Sequence, residues 1–339
     1  MLKKPKILIT GACGSVGYEL LKLSLENDGI SIRVFELPGW KNRSMLNKFR
    51  NIEVIYGDLR DPFKVWQVCQ GIDFVIHLGA LIPPAADKKI ELAEAVNVEG
   101  TRNIINALKQ GNRKAGLLYA SSISIYGDRV ADPEIVKTDP IVPSEGDHYA
   151  TTKIKAEKLI KESGLAFSIF RVSAVMGTQT KMNPLFFHMP LSTSLEIITA
   201  ADAGRAFLQG VLNFKHIENQ IYNLSGGDRC RIIYDDFLKK VFQIQGLKKI
   251  HFPKNAFANH NFHCGFYADG DELEELIHFR TEDLEDYFDQ MKENQTLFSK
   301  GFKTLFKTSI RRYLLKQSEP WQAFQIGSGK HFQQFFTIT

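Results

Sequence analysis

The sequence predicts a doubly wound parallel α/β fold, with helices on both faces of the sheet. Short β-branched runs alternate with longer stretches of helical apolar spacing over residues 6–171. The runs are apolar on both faces, which is typical of strands covered by helices on each side. A glycine-rich turn also joins the first run to a helical pattern. Together these features indicate a Rossmann-type sheet.

Six runs are predicted as strands, and segments with helical patterns lie between and after them. The strand runs, in chain order, are KILIT, SIRVFE, IEVIY, DFVIHL, AGLLYAS and AFSIFRV. The longest predicted helix runs from Asp87 to Gly111, and helical patterns return at residues 201–214, 235–245 and 282–291.

The chain divides into three predicted regions. Residues 1–171 form the Rossmann-type domain, and residues 172–291 form a smaller, mixed substrate-binding region with some segments returning to the sheet. Residues 292–339 form a phenylalanine-rich, basic extension. Within the second region, residues 177–194 show no clear hydrophobic period and indicate a lid or substrate-side insertion. The one histidine of this segment, His188, is more typical of packing than of catalysis.

Composition excludes several classes of protein. The 339 residues are 44% hydrophobic and 24% charged, which excludes a disordered chain, and the four cysteines show no metal-ligand spacing. Neither a signal peptide nor a run of about 18 apolar residues is visible, so a cytoplasmic location is expected. Of the net charge of +5, residues 292–339 hold eight Lys and Arg against two Asp and Glu, so the remainder is nearly neutral.

The turn TGACGSVG has the features of a dinucleotide-binding loop. Gly11, Gly14 and Gly17 permit a tight turn, close approach to a pyrophosphate and close helix packing, with the helix N-terminus at Ser15 and Val16 facing the anion. Glu36 ends the second strand, where a carboxylate accepts hydrogen bonds from ribose hydroxyls and repels a 2′-phosphate.

This carboxylate favours NAD, while Lys41 and Arg43 leave NADP open. Asp58 follows the third strand at the sheet edge where such folds bind ligands.

The segment YATTK places Tyr149 and Lys153 four residues apart, on one face of a predicted helix. A neighbouring ammonium lowers the pKa of a phenol, so the pair can exchange a proton with an alcohol or a carbonyl. Ser122 ends another strand and could bond the same substrate oxygen, with Ser124 as its nearest rival. No metal site is expected.

Six segments in this order resemble the extended short-chain dehydrogenases/reductases, the NAD-dependent epimerase/dehydratase group. They are TGACGSVG, GDLRD, HLGA, NVEGTRN, SSISIYG and YATTK. The resemblance implies Tyr149 as the acid/base, Lys153 as the residue that tunes it and binds the nicotinamide ribose, and Ser122 as the residue that orients the substrate. The cofactor residues it implies are Gly11, Gly14, Ser15, Val16, Gly17, Glu36, Asp58, Leu59, Leu78, Gly79, Ala80 and Asn97.

Departures from the family pattern narrow the expected activity. Ile123 and Ser124 stand where dehydratases of the family place Asp-Glu, and Ala174 stands where sugar-nucleotide enzymes carry an Asn. The leading hypothesis is therefore an NAD(P)-dependent oxidoreductase that transfers hydride between nicotinamide and a secondary alcohol or ketone. A nucleotide-sugar epimerase with recycled NAD is the alternative, and a cofactor-sensing protein without catalysis is a third.

The extension reads as a basic amphipathic helix. Its predicted apolar stripe comprises Phe298, Phe302, Leu305, Phe306, Ile310, Tyr313 and Leu314. Docking on the protein's own surface or on a second subunit is the favoured interpretation, ahead of peripheral contact with a membrane surface. The resemblance implies a homodimer. A small-molecule substrate is expected, and a nucleic-acid partner is not.

Overall fold

The computed structural model describes residues 4–111, 114–177, 184–248, 250–327 and 329–337, with the backbone alone described at residues 184, 297–299 and 331. The strands, in chain order, are β1 (Lys6–Thr10), β2 (Ser31–Glu36), β3 (Ile52–Tyr56), β4 (Phe74–His77), β5 (Gly116–Ser122), β6 (Glu134–Ile135), β7 (Phe167–Val172), β8 (Ala174–Met176), β9 (Ser194–Thr199), β10 (Gln220–Leu224), β11 (Arg231–Ile233) and β12 (Phe266–Tyr267).

Seven of these strands form one parallel sheet in the order β3-β2-β1-β4-β5-β7-β10. All six predicted strands lie in it, and the Rossmann-type prediction is confirmed. The strand order reverses direction between β1 and β4, which leaves a crevice at the carboxyl ends of these two strands.

Helices cover both faces of the sheet and form most of the C-terminal part. They are α1 (Ser15–Leu25), α2 (Trp40–Leu46), α3 (Pro62–Val68), α4 (Ala85–Lys88), α5 (Ile90–Ala93), α6 (Gly100–Gln110), α7 (His148–Lys161), α8 (Ala200–Leu212), α9 (Phe214–Ile217), α10 (Tyr234–Ile244), α11 (Asp271–Ile277), α12 (Leu284–Glu293), α13 (Leu297–Leu305), α14 (Lys307–Gln317), α15 (Glu319–Ile326) and α16 (Lys330–Gln333).

The single helix predicted from Asp87 to Gly111 is wrong. The chain leaves helical geometry at Lys89, and residues Glu94–Glu99 form a π-helical segment between α5 and α6. Within this segment the buried Asn97 bonds the backbone of Leu81 and the hydroxyl of Thr152. The prediction of one uninterrupted helix used only the spacing of apolar residues, and that spacing carries no information about these long-range hydrogen bonds.

A second core lies outside the main sheet. The strands β8, β9 and β11 form a small sheet, and the helices α10, α12 and α14 pack beside it. Phe187 is fully buried in this core, so the described part of the predicted lid packs inward. Lys181 and the rest of residues 178–183 lie outside the described residues.

The extension is not one amphipathic helix, because the helical geometry is interrupted at Phe306, between α13 and α14. Leu314 is buried and Ile310 packs beside it in the second core, so the extension docks on the protein's own body. Phe302, Leu305 and Tyr313 are each more than half exposed. The side chain of Phe298 lies outside the described residues.

None of the described helices has both the length and the apolarity needed to cross a membrane.

Candidate active site

A cleft of about 710 Å³ opens at the carboxyl ends of β1 to β5. With one exception, Asn97, every residue predicted for catalysis or cofactor binding lines it. These lining residues are Gly11, Gly14, Ser15, Val16, Gly17, Glu36, Asp58, Leu59, Leu78, Gly79, Ala80, Ser122, Tyr149 and Lys153. Residues far apart in the sequence are therefore brought to one cavity.

The glycine loop is shaped partly by packing within the protein. Gly11 has a φ of +74°, and a Cβ there would lie 2.7 Å from the backbone nitrogen of Gly79. A Cβ on Gly17 would lie 2.2 Å from the carbonyl oxygen of Gly11. A Cβ on Gly14, in contrast, would meet only the Gly11 oxygen, at 3.3 Å. The loop therefore keeps room at Gly14 for a group that approaches the backbone closely.

The first turn of α1 provides a site for an anion. Its N-cap, Gly14, has no side chain to bond the free N–H groups, and the turn contains no acidic residue. Free N–H groups and the helix dipole at such an end favour a negative charge. Together with the room at Gly14, this arrangement fits the pyrophosphate of a dinucleotide.

Glu36 joins the end of β2 to the glycine loop. Its carboxylate accepts hydrogen bonds from the backbone N–H groups of Cys13 and Leu37, each at 3.0 Å. A carboxylate oxygen accepts more than one bond, so acceptor capacity is left for a ligand hydroxyl in the cleft. At the neighbouring strand end, Arg60 forms an ion pair with Asp58 and holds the pKa of that carboxyl below its usual range.

A buried histidine, which the sequence analysis did not use, connects three elements beneath the cleft. His77 Nδ1 lies 2.7 Å from the hydroxyl of Thr10, and its Nε2 lies 3.1 Å from that of Thr101. The Thr101 hydroxyl donates in turn to the carbonyl of Asn97. Burial lowers the pKa of His77 to about 3, so the ring is neutral, and the bonding pattern assigns its proton to Nε2.

Tyr149 and Lys153 lie on α7 as predicted, one turn apart. The side chain of Asp147 caps this helix by accepting from the backbone N–H of Ala150 at 2.7 Å. The Lys153 ammonium donates to the carbonyl of Ala120 at 2.7 Å and lies 5.5 Å from the centre of the Tyr149 ring. The helix therefore directs both side chains to the end of β5, where Ser122 lies.

The electrostatics of this pair differ from the sequence-based expectation. Burial raises the pKa of Tyr149, the charge of Asp147 adds to this, and a hydrogen bond with Ser122 opposes it. Burial also lowers the pKa of Lys153 to about 7, although the nearby charge of Glu157 acts to raise it. The net shift of the phenol pKa is therefore upward and not the expected lowering by Lys153, because desolvation is the largest influence on both groups.

The two candidate serines occupy different places. Ser122 lines the cleft, whereas Ser124 is buried behind it and donates from its hydroxyl to Ser122 at 3.0 Å. Asn97 also lies behind the wall, so a direct contact between its side chain and a cofactor does not fit this geometry. Its amide holds Leu81 and Thr152, and its function would be to position the cleft wall.

Comparison with known proteins identifies the fold and the family of this site. The profile of the 3-beta hydroxysteroid dehydrogenase/isomerase family matches residues 8–168, which include the glycine loop, Ser122, Tyr149 and Lys153. Residues 8–168 belong to the extended short-chain dehydrogenases/reductases.

Curated proteins similar to this chain include some named as hydroxysteroid dehydrogenases. A 3 beta-hydroxysteroid dehydrogenase type 7 of Rattus norvegicus is 28% identical over 216 residues, covering 59% of this chain and 63% of that protein. A 3 beta-hydroxysteroid dehydrogenase/Delta 5→4-isomerase of Mycobacterium tuberculosis is 29% identical over 197 residues, covering 53% and 50%. The chain thus spans less than two thirds of the length of these curated relatives.

Solved structures support the fold over a longer part of the chain. A short-chain dehydrogenase/reductase superfamily protein of Agrobacterium tumefaciens with bound NAD superposes with a TM-score of 0.64 at 19% identity, covering 90% of this chain and 99% of that one. A UDP-glucuronic acid 4-epimerase of Bacillus cereus gives 0.67 at 20% identity, covering 86% and 100%. At this identity the likeness concerns the fold alone.

The buried amine of Lys153 makes the stability of this protein depend on pH. Between about pH 7 and 10.5 the unfolded chain keeps a proton that the folded chain has released, so the free energy of unfolding rises with pH in this window. Below pH 7 both states are charged, and the folded state carries the full cost of burying the charge. We expect Lys153→Met to remove this dependence, which is at most on the order of 5 kcal/mol.

Urea denaturation of both proteins at pH 6, 8 and 10 measures this difference. Lys155→Met is the matched control, because Lys155 lies on the same helix and pairs with Glu94 at the surface. Parallel pH profiles for wild type and Lys153→Met would contradict the expectation.

Proposed function

We propose that the chain is an NAD(P)-dependent oxidoreductase that interconverts a secondary alcohol and a ketone. The observation that supports this most is the convergence of Ser122, Tyr149 and Lys153 at one end of a cleft whose other end holds the glycine loop. When bound, the dinucleotide would supply the hydride acceptor or donor. The glycine loop, Glu36 and Asp58 would hold its adenosine and pyrophosphate end, and the carboxylate of Glu36 supports a preference for NAD.

The protein's own groups would handle the proton. Because burial raises the pKa of Tyr149, its hydroxyl is protonated at neutral pH and can donate to a ketone oxygen. Donation leaves a phenolate, which the nearby Lys153 ammonium would stabilise, and in the oxidative direction this phenolate would accept the alcohol proton. Ser122 would hold the substrate oxygen beside Tyr149 through its hydroxyl.

A bulky, uncharged substrate is proposed for this site. Arg60 and Lys153 are the only Lys or Arg side chains that line the described cleft, and both are already engaged with protein groups. A nucleotide-sugar diphosphate would require further cationic anchors, so the lining supports the dehydrogenase over the epimerase. The names of the relatives make 3β-hydroxysteroids the first substrates to test.

The carbonyl-forming step provides the main test. We expect purified protein with NAD⁺ to oxidise at least one member of a panel of cyclic secondary alcohols and 3β-hydroxysteroids, and we expect Tyr149→Phe to lower kcat about 10²- to 10⁴-fold because the proton acceptor is lost. The exposed Tyr313 supplies the control variant Tyr313→Phe, which should retain activity.

Unchanged turnover in Tyr149→Phe would contradict the assignment. Turnover of UDP-sugars without net change in NAD would instead favour the epimerase. Binding of NAD with no turnover of any substrate would favour the cofactor-sensing hypothesis.

Two substitutions in the glycine loop should distinguish an effect on cofactor affinity from an effect on folding stability. Gly14→Ala adds a methyl group where the protein has room, so we expect a urea midpoint close to wild type and at least a tenfold weaker affinity for NAD, because the methyl group occupies the space of the pyrophosphate. Gly17→Ala should instead destabilise the fold by about 1–3 kcal/mol through the clash with Gly11. Calorimetric titration with NAD and with NADP measures both affinities, and undiminished NAD binding in Gly14→Ala would argue against this site.

A cytoplasmic homodimer is proposed for the assembly. Phe302 and Leu305 on α13 and Phe306 directly after it are exposed and offer an apolar contact surface. We expect sedimentation velocity to show a dimer, and Leu305→Asp to shift it towards monomer because a charge would be buried. A monomeric wild type would contradict the proposal, and Thr308→Asp, at a neighbouring exposed and neutral position, serves as a charge-matched control.

A further inference from the structure

A second cavity of about 260 Å³ lies beside the cleft, and the proposed reaction does not use it. Its walls come from four stretches that are distant in sequence: residues 83–87, 144–147, 185–188 and 260–263. Gln334 and Phe335 of the extension complete it. This volume is below the roughly 300–1,000 Å³ of sites that enclose a whole drug-sized ligand, so it suits one end of a larger molecule.

The second cavity adjoins the candidate catalytic tyrosine. Asp87 lines it and accepts the backbone N–H of Tyr149 at 3.2 Å. Leu81 and Ile82 line the main cleft, and the next residue, Pro83, lines the second cavity. None of its lining residues belongs to the glycine loop or to the ends of β2 and β3. It therefore lies on the substrate side of Tyr149, away from the dinucleotide end.

Two polar atoms in the wall have no hydrogen-bond partner among the described residues. They are the Ser144 hydroxyl oxygen and Nδ1 of His260, and both are buried. Buried polar atoms are nearly always bonded, so two in one small cavity indicate a missing polar ligand. Both residues line the cavity, so a change of the Ser144 χ1 rotamer and a flip of the His260 imidazole ring are the movements that would present these atoms to a ligand there.

The other lining residues define the chemistry of that ligand. Asp87, Glu145 and Asp147 contribute carboxyl groups, while no Lys or Arg lines the described walls, so a phosphate or carboxylate is disfavoured. Leu185, Phe262 and Phe335 supply apolar surface. The walls thus suit an apolar body that carries a neutral hydroxyl or keto oxygen.

The extension is held firmly where it closes this cavity. The carbonyl of Phe335 accepts from the backbone N–H of Asn259 at 2.9 Å, and the carbonyl of Gln334 accepts from the Asn261 amide at 3.3 Å. The ring of Phe335 packs edge-on against His188, with 4.9 Å between ring centres. His188 in turn pairs with Glu319 on α15 at 3.2 Å. The helix α15 and the residues that follow α16 therefore fix this wall.

We propose that this cavity binds the end of the substrate remote from the reacting carbon, and that Ser144 and His260 recognise a neutral hydroxyl or keto oxygen there. The inference rests on the proposed oxidoreductase function, which it extends to substrate specificity. It makes the C-terminal extension part of the substrate site.

Two steroids that differ by one oxygen test this assignment. The probes are 3β-hydroxyandrost-5-en-17-one and androst-5-en-3β-ol, and their affinities are measured by equilibrium dialysis against the full-length protein saturated with NADH. We expect the 17-keto probe to bind about 2- to 10-fold more tightly to wild type, the size of one hydrogen bond. In Ser144→Ala and in His260→Phe this ratio should fall towards one.

Ser168→Ala is the matched control, because Ser168 is also fully buried with an unbonded hydroxyl and lines neither cavity. It should keep the wild-type ratio. Equal affinities of wild type for the two probes, an unchanged ratio in both variants, or no binding of either probe would overturn the inference.

Because dialysis requires no turnover, the result is separable from that of the proposed function. Oxidation of a panel alcohol with no preference for the keto probe would leave the function standing and remove only the cavity assignment.

Discussion

The buried ion pair between Glu157 and Arg171 holds the candidate active site together. Glu157 lies on α7 and Arg171 on β7, both are almost fully buried, and the guanidinium contacts both carboxylate oxygens at 2.9 and 3.1 Å. Glu157 also accepts from the Ser121 hydroxyl at 2.5 Å. Removal of one partner from such a pair typically costs about 3–5 kcal/mol, because the other charge remains buried and unpaired. The pair thus fixes α7 against β5 and β7 together.

This fixation determines where the reacting groups lie. Lys153 is one turn and Tyr149 two turns before Glu157 on α7, and Ser122 follows Ser121 on β5. The remaining guanidinium bonds run to the Tyr126 hydroxyl and the Lys137 carbonyl, and the Tyr126 hydroxyl donates to Asn223 on β10. The positions of the catalytic candidates are therefore set by charges that contact neither cleft nor ligand.

The cofactor end could be predicted because its determinants are local. The glycines of TGACGSVG, the carboxylate that ends β2 and the four-residue spacing of Tyr149 and Lys153 all act within one turn or one strand end. The sequence did not draw attention to His77 or Thr152, and it placed Asn97 among the cofactor residues. The reason is that the hydrogen-bond partners of these residues are 16 to 67 residues away. A histidine inside an apolar strand run was the one available signal, and it does not identify the partner.

The electrostatic expectation for Tyr149 erred for a related reason. Residue spacing gives the distance between a phenol and an ammonium but not their burial. Here desolvation is the largest influence on both groups: it raises the pKa of Tyr149 together with the charge of Asp147, and it lowers the pKa of Lys153 against the charge of Glu157.

The basic side chains of the extension agree with the favoured interpretation that it docks on the protein's own surface. Lys307 donates to the carbonyl of Lys248 and Arg311 to that of His251, both in the segment that follows α10. Part of the positive charge therefore bonds backbone carbonyls of the same chain. The sequence could not identify these acceptors, because they lie about 60 residues earlier in the chain.

The two ends of the site come largely from different parts of the chain. The family match covers residues 8–168, which build the dinucleotide end, whereas much of the second cavity comes from residues 185–335. Recognition of the cofactor can thus stay the same while the substrate end changes, because the groups that line the second cavity lie on other elements. Substrate choice in this chain must therefore be sought mainly in the part that family likeness does not reach.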